Sequence, residues 1–427
     1  MDIAKLYEIY RKFPSVQTDT RLLQPSDLFF ALKGENFNGN HFAAMAIEKG
    51  AAYAVIDEKA YAIPGKTILV EQVLPALQAL AKYHRNQFTI PFIAITGSNG
   101  KTSTKELVHA VISTTYKTYT TAGNLNNHIG IPLTLLKIKQ DAAMAIVEMG
   151  ANHQKEIAGY CTYTLPTHGL ITNCGKAHLE GFGGVEGVRK GKGELYDFLR
   201  EHGGTAFMMS DYDYLEQMGR GIQHIIRYGA HSGDFQGEVI ASDPFIQVRM
   251  TKGADTGLIK TQIVGDYNLP NILAAVTIGK YFKVPDDKIR TAIESYIPSN
   301  SRSQLLETGS NKIILDAYNA NPSSMQLAIE NFAKTQAENK ILILGAMAEL
   351  GDESLAEHQK MVNLIGQYQW KHVLLVGGDF LKIQHPYLSF SNAEEARQWM
   401  QKTRPEHAYM LVKGSRSMKM EDVLKDN

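Results

Sequence analysis

Residues 93–106 read IAITGSNGKTSTKE and place an apolar run, a glycine-bounded loop and a helix-forming segment in that order. Gly97 and Gly100 allow the loop backbone to curl so that successive N–H groups point inward. The positive end of the following helix adds to the attraction for an anion. Lys101 can then reach phosphate oxygens, and the Thr102 hydroxyl can bind Mg²⁺. The order of strand, loop and helix predicts a phosphate site in a parallel α/β sheet. The predicted phosphate loop comprises Gly97, Ser98, Asn99, Gly100, Lys101, Thr102 and Ser103.

The loop is shorter than the general nucleotide-binding pattern, which sets four residues between its first glycine and the Gly-Lys pair. Here only Ser98 and Asn99 separate Gly97 from Gly100. The structural alternative is a strand-to-helix turn in which glycine and asparagine merely satisfy a positive φ. The apolar strand before the loop and the helix after it favour the phosphate site.

The same alternation of apolar strands and helical segments continues along the chain. A length of 427 residues suggests about three domains. We place the boundaries at 1–87, 88–299 and 300–427, the last near the linker-like stretch SYIPSNS. Strands that alternate with helices argue for parallel sheets. We therefore expect an α/β protein whose central P-loop-type parallel sheet is flanked by an N-terminal α/β domain and a C-terminal Rossmann-like domain.

Composition excludes several classes of function. Lysine plus arginine and aspartate plus glutamate both total 44, so the formal net charge is zero and global charge indicates no nucleic-acid partner. The two cysteines, Cys161 and Cys174, indicate neither a disulfide framework nor a metal site. The N-terminus lacks a secretory signal, and no apolar run approaches the roughly 20 residues that span a bilayer. We expect a soluble, cytoplasmic protein without membrane insertion.

Several polar residues stand where strands end, although each has an ordinary structural explanation. Asn124, Asn126 and Asn127 share one loop, which suits a polar ligand but also suits a turn. Glu148 ends a strongly apolar strand, where either Mg²⁺ or a buried salt bridge would offset the cost of its charge. His178 at a strand exit and Lys192 on a helix carry no function by themselves.

Together these residues resemble the Mur ligase family, ATP-dependent enzymes that add amino acids to the peptidoglycan precursor of bacterial cell walls. The family's phosphate loop has the shortened form G-x-x-G-K-[ST], which residues 97–102 match. Seven further blocks match in order along nearly the whole chain: GNLNNHIG, VEMGAN, AHLEGFG, KGE (192–194), GDYNLPNILAA, DAYNANPSSM and KGSRSMKME. Ordered blocks of this kind are far more specific than any one motif.

The resemblance implies a reaction, its substrates and its cofactors. GNLNNHIGIPLTLL, YNANPSSM and the N-terminal TDTRLLQPSDLFFALKGENFNGN point to addition of the terminal dipeptide. The implied substrates are ATP, a UDP-N-acetylmuramoyl (UDP-MurNAc) tripeptide and D-alanyl-D-alanine, with two Mg²⁺ ions. The first domain would bind the UDP-sugar and the third the dipeptide, in a monomer.

The resemblance also implies roles for single residues. Lys101 and Arg302 would act on the phosphates, with Asn271 at the adenine and Asp316 at the phosphates or ribose. Thr102 and Glu148 would hold one Mg²⁺, and His178 and a carbamylated Lys192 the second, because a carbamate offers the anionic oxygens that Mg²⁺ prefers. The dipeptide or tripeptide would contact Asn124, Asn126, Asn127, Tyr318, Asn319, Asn321, Lys413 and Ser415. The UDP-sugar loop would comprise Thr20, Arg21, Lys33, Gly34 and Asn36.

The sequence departs from the family pattern at three positions, and alternative functions have to be weighed. Asn38 and Asn40 replace a frequent acidic residue and a histidine, and Ala346 replaces a frequent aspartate, so no role is assigned there. The nearest rivals are a family ligase that adds the third residue and a folylpolyglutamate synthetase. The DNPR-type motif of many third-residue ligases is absent. A regulatory P-loop NTPase would leave His178, Lys192 and the YNANP motif unexplained.

Overall fold

The computed structural model describes residues 2–299 and 301–425, and in this part of the chain helices surround three sheets. The helices are α1 (Ile3–Lys12), α2 (Ala43–Glu48), α3 (Val73–Arg85), α4 (Lys101–Ser113), α5 (Gly130–Leu136), α6 (Glu156–Thr164), α7 (Leu179–Phe182), α8 (Val185–His202), α9 (Asp213–Met218), α10 (Leu269–Tyr281), α11 (Asp286–Ser295), α12 (Pro322–Lys334), α13 (Ser354–Ile365) and α14 (Ala393–Thr403).

The strands fall into a first, a central and a third sheet, besides a small ribbon of β3 and β4. They are β1 (Val16–Gln17), β2 (Leu28–Phe30), β3 (Lys33–Gly34), β4 (Phe37–Asn38), β5 (Tyr53–Ile56), β6 (Thr67–Leu69), β7 (Phe92–Thr96), β8 (Thr118–Thr120), β9 (Met144–Glu148), β10 (His168–Ile171), β11 (Thr205–Met209), β12 (His224–Gly229), β13 (Phe235–Ala241), β14 (Gln247–Lys252), β15 (Leu258–Lys260), β16 (Gln304–Thr308), β17 (Asn311–Asp316), β18 (Lys340–Gly345), β19 (His372–Val376), β20 (Leu388–Phe390) and β21 (Tyr409–Lys413).

The central sheet has the order β15-β14-β13-β12-β11-β10-β7-β9-β8 and is parallel from β8 to β13. Strands β7, β9 and β11 are buried along their whole length, as expected for a parallel sheet covered on both faces. The chain leaves β7 toward β9 on one side and later returns to β10 on the other. This reversal beside β7 is where open α/β sheets bind ligands, at the carboxyl ends of the strands.

The third sheet has the order β16-β17-β21-β18-β19-β20 and is parallel from β17 to β20. Because β17 and β21 are neighbours in register, their last residues, Asp316 and Lys413, lie side by side. The predicted α/β class, with a central and mostly parallel sheet, is confirmed. No helix in the described ranges combines the length and the apolar character needed to cross a bilayer.

The first sheet, in the parallel order β1-β2-β5-β6, is attached to the central sheet through α3. Arg85 at the end of α3 is buried, and its guanidinium donates to the carbonyls of Thr164, Leu165 and Phe88 at 2.8–2.9 Å. The same group lies 3.7 Å from the centre of the Phe92 ring at the start of β7. These contacts fix the first sheet against the central sheet, because separating them would leave a buried charge without partners.

Candidate active site

A cleft of about 850 Å³ lies between the carboxyl ends of the central strands and those of the third sheet. The central sheet contributes the loops after β7, β9 and β10. The third sheet contributes the ends of β17 and β21 and the turn after β18. Parallel strands place their carboxyl ends at one edge, so two facing sheets enclose a space lined by polar loops. Most of the residues predicted for ATP, metal and dipeptide line this space.

The phosphate loop has the geometry that its two glycines require. Gly97 has φ +144° and Gly100 has φ +78°, which L side chains rarely adopt. A Cβ at Gly97 would overlap the Thr172 hydroxyl, and one at Gly100 would lie 2.7 Å from Asn271 Oδ1. Lys101 begins α4, and its Nζ donates to the carbonyls of Gly97 and Ser98 at 2.7 and 3.1 Å. Burial lowers the pKa of Lys101 to about 8.

Thr102 and Glu148 are brought together across the first turn of α4. The Thr102 hydroxyl donates to the two carboxylate oxygens of Glu148 at 2.9 and 3.1 Å, and Asn126 Nδ2 donates to one of them at 2.8 Å. Glu148 is 1% exposed, and no ion pair in the described ranges involves it. The buried salt bridge that the sequence left open is therefore not formed there. A hydroxyl and a buried carboxylate without an ion-pair partner are hard oxygen donors, the kind that Mg²⁺ prefers.

Lys192 is buried directly beneath the cleft. Its side chain is 1% exposed, and Nζ donates to the carbonyl of Ala151 at 3.0 Å and lies 4.9 Å from the Phe182 ring centre. Burial, together with the charge of Lys101, lowers the pKa of Lys192 to about 7. A large fraction of the amine is therefore neutral near pH 7, which is the form that reacts with carbon dioxide to give a carbamate.

His178 lines the cleft and faces the third sheet. Its Nδ1 lies 2.5 Å from Oε2 of Glu349, in the turn after β18. His178 has φ +53° and Glu349 has φ +61°, so both side chains are presented from left-handed backbone. The histidine lowers the pKa of the Glu349 carboxyl below its usual value. This contact joins two loops that are 171 positions apart in sequence.

The residues that could bind Mg²⁺ offer several kinds of ligand: a hydroxyl, a carboxylate, an imidazole and, as a carbamate, a lysine. In the part of the chain that the structure describes, no three His, Cys, Asp or Glu side chains converge as a ready-made metal site. An ion at Thr102 and Glu148 would take its remaining ligands from phosphate oxygens and water, as Mg²⁺ commonly does. His178, and Lys192 as a carbamate, would serve a second ion. These donors fit the predicted cofactor.

The third sheet brings a cation and an ion pair to the cleft. Arg302 lies over the Tyr318 ring, 3.6 Å from its centre. Lys413 is 2% exposed, and its Nζ lies 2.5 Å from Asp316 Oδ2, whose other oxygen accepts from the Ser303 amide at 3.1 Å. Asp316 and Lys413 therefore hold each other in place, whereas Arg302 keeps its charge available to a phosphate.

The predicted asparagines occupy the cleft wall, and several also hold the backbone. Asn127 accepts from the amides of Ile129 and Gly130 at the start of α5, the ordinary turn role. Asn271 accepts from Thr104 at 3.0 Å and donates to Asn268 at 2.8 Å. The cleft is also lined by Ser98, Asn99, Ser103, Asn124, Asn126, Asn319 and Asn321. All of these lie within reach of a ligand in the cleft.

Several predicted residues do not line this cleft, among them Gly97 of the phosphate loop and the buried Lys192. Ser415 is 1% exposed and donates to the carbonyl of Ala346 at 2.7 Å, which places it below the cleft surface. Lys33, Gly34 and Asn36 line a separate cavity of about 530 Å³ beside the first sheet. Thr20 and Arg21 line neither cavity, and Arg21 pairs with Asp19 at 2.6 Å.

In the second cavity Lys33 is already paired. Its Nζ lies 2.9 Å from Asp57 and 2.8 Å from Glu58. Asn38 donates to Glu58 at 3.0 Å, and Asn40 donates to Asp57 at 2.8 Å. The two asparagines that depart from the family pattern are thus part of a polar network around Lys33. Aromatic surface is also present, since Phe37 is half exposed and stacks on Phe42.

Sequence reasoning missed several cleft residues. Tyr212 and Tyr214 line the cleft and form a stacked pair with ring centres 5.6 Å apart. Arg189, outside the cleft lining, lies 5.0 Å from the Tyr214 ring centre. Glu349 was missed too. It follows the apolar strand β18 in the way that other site residues follow their strands, and this position was the available signal.

Three protein-family models match successive parts of the chain. The models named Mur ligase family, catalytic domain; Mur ligase middle domain; and Mur ligase, glutamate ligase domain match residues 12–86, 95–279 and 301–416. The chain is 32% identical to a UDP-N-acetylmuramoyl-tripeptide–D-alanyl-D-alanine ligase from Bacillus subtilis, over 96% of this chain and 92% of that protein. It is 34% identical to the protein of the same name from Escherichia coli, over 96% and 93%. A crystal structure of MurF from Acinetobacter baumannii superposes with a TM-score of 0.87 at 29% identity, covering 96% of this chain and 92% of that one.

Proposed function

The chain belongs to the Mur ligase family, and from that premise we propose that it joins D-alanyl-D-alanine to a UDP-N-acetylmuramoyl tripeptide at the expense of ATP. The product would be the pentapeptide precursor of peptidoglycan. The observation that carries the proposal is the shared cleft, because the phosphate loop from the central sheet lines the same space as Asp316, Tyr318, Asn319 and Asn321 from the third sheet. The names of the related proteins support the dipeptide as acceptor.

The first step forms an acyl phosphate. The terminal carboxylate of the tripeptide attacks the γ-phosphorus of ATP, and the bond to the bridging oxygen breaks to release ADP. Lys101 and Arg302 both line the cleft and would supply positive charge to the phosphates. Mg²⁺ held at Thr102 and Glu148 would neutralise further phosphate charge. The remaining contribution of the chain is to position the two reactants, because phosphoryl transfer needs little covalent help from a protein.

The second step forms the peptide bond. The dipeptide amine, once neutral, attacks the acyl carbon, and phosphate leaves as the amide forms and the nitrogen loses its remaining extra proton. Tyr318, Asn319 and Asn321 lie on the third-sheet wall, where the dipeptide would bind. Asn124 and Asn126 lie on the opposite wall, where the tripeptide would bind. The UDP-sugar would extend toward the cavity at Lys33, Gly34 and Asn36.

The remaining parts of the proposal concern the state and place of the protein. One chain supplies both walls of the cleft, which supports activity as a monomer. Cys161 and Cys174 are both free, in keeping with a reducing compartment such as the bacterial cytoplasm, where ATP is available.

An acceptor panel tests the proposed reaction. Purified protein receives ATP, Mg²⁺ and UDP-muramoyl tripeptides, with D-alanyl-D-alanine or single amino acids as acceptors. Phosphate release should require the tripeptide and the dipeptide together. Release with a single amino acid instead would favour a ligase for another position, and release that ignores both peptides would favour a regulatory NTPase. The K101M variant, which lacks the phosphate-loop charge, is the inactive control.

A further inference from the structure

Four carboxylates line the cleft in the described residues: Glu148, Glu156, Asp316 and Glu349. Three of them are already engaged. Glu148 accepts from Thr102 and Asn126, and Glu156 accepts from the amides of Asn152 and His153. Asp316 holds Lys413 and the amide of Ser303. Each of these carboxylates has a structural role that a substrate cation would have to displace.

Glu349 differs from the other three. Within the described ranges its side chain contacts one partner, Nδ1 of His178, and no lysine or arginine. The side chain is half exposed, so one oxygen remains open to the cleft. Glu349 is therefore the carboxylate in the cleft with spare capacity to accept hydrogen bonds from a cation.

The backbone holds this carboxylate toward the central sheet. The left-handed conformation of Glu349 is unfavourable for a residue other than glycine, so its surroundings must impose it. The carbonyl of Glu349 accepts from the Glu180 amide at 3.4 Å, and a Cβ at Gly351 would lie 3.3 Å from the Glu180 side chain. The turn after β18 is thus packed on the first turn of α7, beside His178.

We propose that Glu349 binds the ammonium group of the incoming dipeptide and directs it toward the acyl carbon. This assignment rests on the proposed function. The dipeptide enters from the third-sheet wall, and its ammonium end must point to the central sheet to reach the activated tripeptide. An ammonium group that leaves water for the cleft needs an anionic partner. Glu349 is the third-sheet carboxylate that faces this way without a lysine partner.

Kinetics of the isosteric E349Q variant test the role. The Michaelis constant for D-alanyl-D-alanine should rise roughly tenfold to 100-fold, because a charge-assisted hydrogen bond is replaced by a weaker neutral one. Acyl phosphate formation, measured without dipeptide as hydroxamate in the presence of hydroxylamine, should stay near the wild-type rate. The Michaelis constants for ATP and tripeptide should also stay unchanged.

A ligand that lacks the amine distinguishes recognition of the ammonium group from binding of the rest of the dipeptide. N-propionyl-D-alanine replaces the ammonium with hydrogen, and it should inhibit the wild type and E349Q equally. The E353Q variant is the matched control, because Glu353 is exposed in the neighbouring turn outside the cleft, and it should behave as wild type.

A purely structural role for Glu349 predicts a different pattern. Glu357 is 2% exposed and pairs with Lys176 of the central sheet at 2.7 Å, so E357Q weakens the contact between the sheets without touching the cleft. If E349Q, like E357Q, slows hydroxamate formation and coupling together, or if its dipeptide constant is unchanged, the assignment is wrong. A rise in the tripeptide constant alone would also overturn it. Absence of hydroxamate from the wild type would instead contradict the proposed function, and the assignment would fall with it.

Discussion

Asn99 in the phosphate loop and Asn321 at the start of α12 exchange hydrogen bonds through their side-chain amides. Asn321 Nδ2 donates to Asn99 Oδ1 at 2.7 Å, and Asn99 Nδ2 donates to Asn321 Oδ1 at 3.4 Å. The two residues are 222 positions apart. The pair connects the segment expected to hold ATP with the segment expected to hold the dipeptide. These hydrogen bonds directly connect the proposed ATP site with the proposed dipeptide site.

Substitution of Asn321 should separate this link from helix capping. Asn321 is the N-cap of α12 and forms a capping box with Ser324. N321A should lose about 1 kcal/mol of stability, whereas N321S keeps a capping oxygen but is too short to reach Asn99. We expect N321S to retain the wild-type unfolding midpoint in urea but to lower kcat/KM for the dipeptide roughly threefold to tenfold. Wild-type kinetics in N321S would show that the amide pair has no functional role.

Replacement of the buried Lys192 should greatly lower activity while the protein stays folded. We expect K192A to lower kcat on the order of 100- to 1000-fold, the usual effect of removing one electrostatic stabiliser. Short carboxylates such as formate should restore part of the rate. Labelled ¹³CO₂ should give a carbamate signal in the wild type that K192A lacks.

Lys190 provides the matched control for this experiment. It lies two residues away on the same helix but is exposed. K190A should retain activity and the carbamate signal. A fully active K192A variant would remove the carbamate role.

The stability of the central sheet should depend on pH through His168. Burial among Phe207, Tyr281 and Phe282 lowers the pKa of His168 from 6.5 to about 4. The unfolded chain therefore binds a proton that the folded chain resists, so stability is present above about pH 6.5 and is lost as the pH falls toward 4. At pH 5 the loss from this group is about 2 kcal/mol.

The variant H168F, which cannot titrate, isolates this contribution. Between pH 7 and pH 5 its free energy of unfolding in urea should fall by about 2 kcal/mol less than that of the wild type. Equal losses in both proteins would show that His168 gains its proton in the folded state as easily as in the unfolded chain.

The features that could be predicted from the sequence are those that depend on the order of strands and loops along the chain. The phosphate loop, Glu148 and the Asp316 motif each follow an apolar strand, and the carboxyl ends of parallel strands share one edge. The class of fold and the closeness of the phosphate loop to Glu148 therefore follow from strand order, whereas Asp316 ends a strand of the third sheet and reaches the same cleft through the packing of the two sheets. The burial of Lys192 was not predicted, because a lysine on a helix is usually solvated and Lys190 on the same helix is exposed; it results from the packing of α8 on the central sheet.

The contacts between the two sheets do not follow from local order. The Asn99–Asn321 and His178–Glu349 contacts depend on how the third sheet packs against the central sheet, which no nearby pattern encodes. Ser415 illustrates the limit, since its motif placed it at a ligand whereas its hydroxyl bonds to Ala346 beneath the cleft. Lys33 is a second example, because its ion-pair partners Asp57 and Glu58 follow the end of β5, 24 and 25 positions away in the sequence.

Isotope transfer tests the central claim, ligation through an acyl phosphate, most directly. The terminal carboxylate of the tripeptide is labelled with ¹⁸O and incubated with the protein, ATP, Mg²⁺ and D-alanyl-D-alanine. We predict that each phosphate released carries one ¹⁸O atom, while the peptide product gains the mass of the dipeptide and keeps the other label in its new amide. Unlabelled phosphate, or labelled phosphate without the extended peptide, would contradict the account.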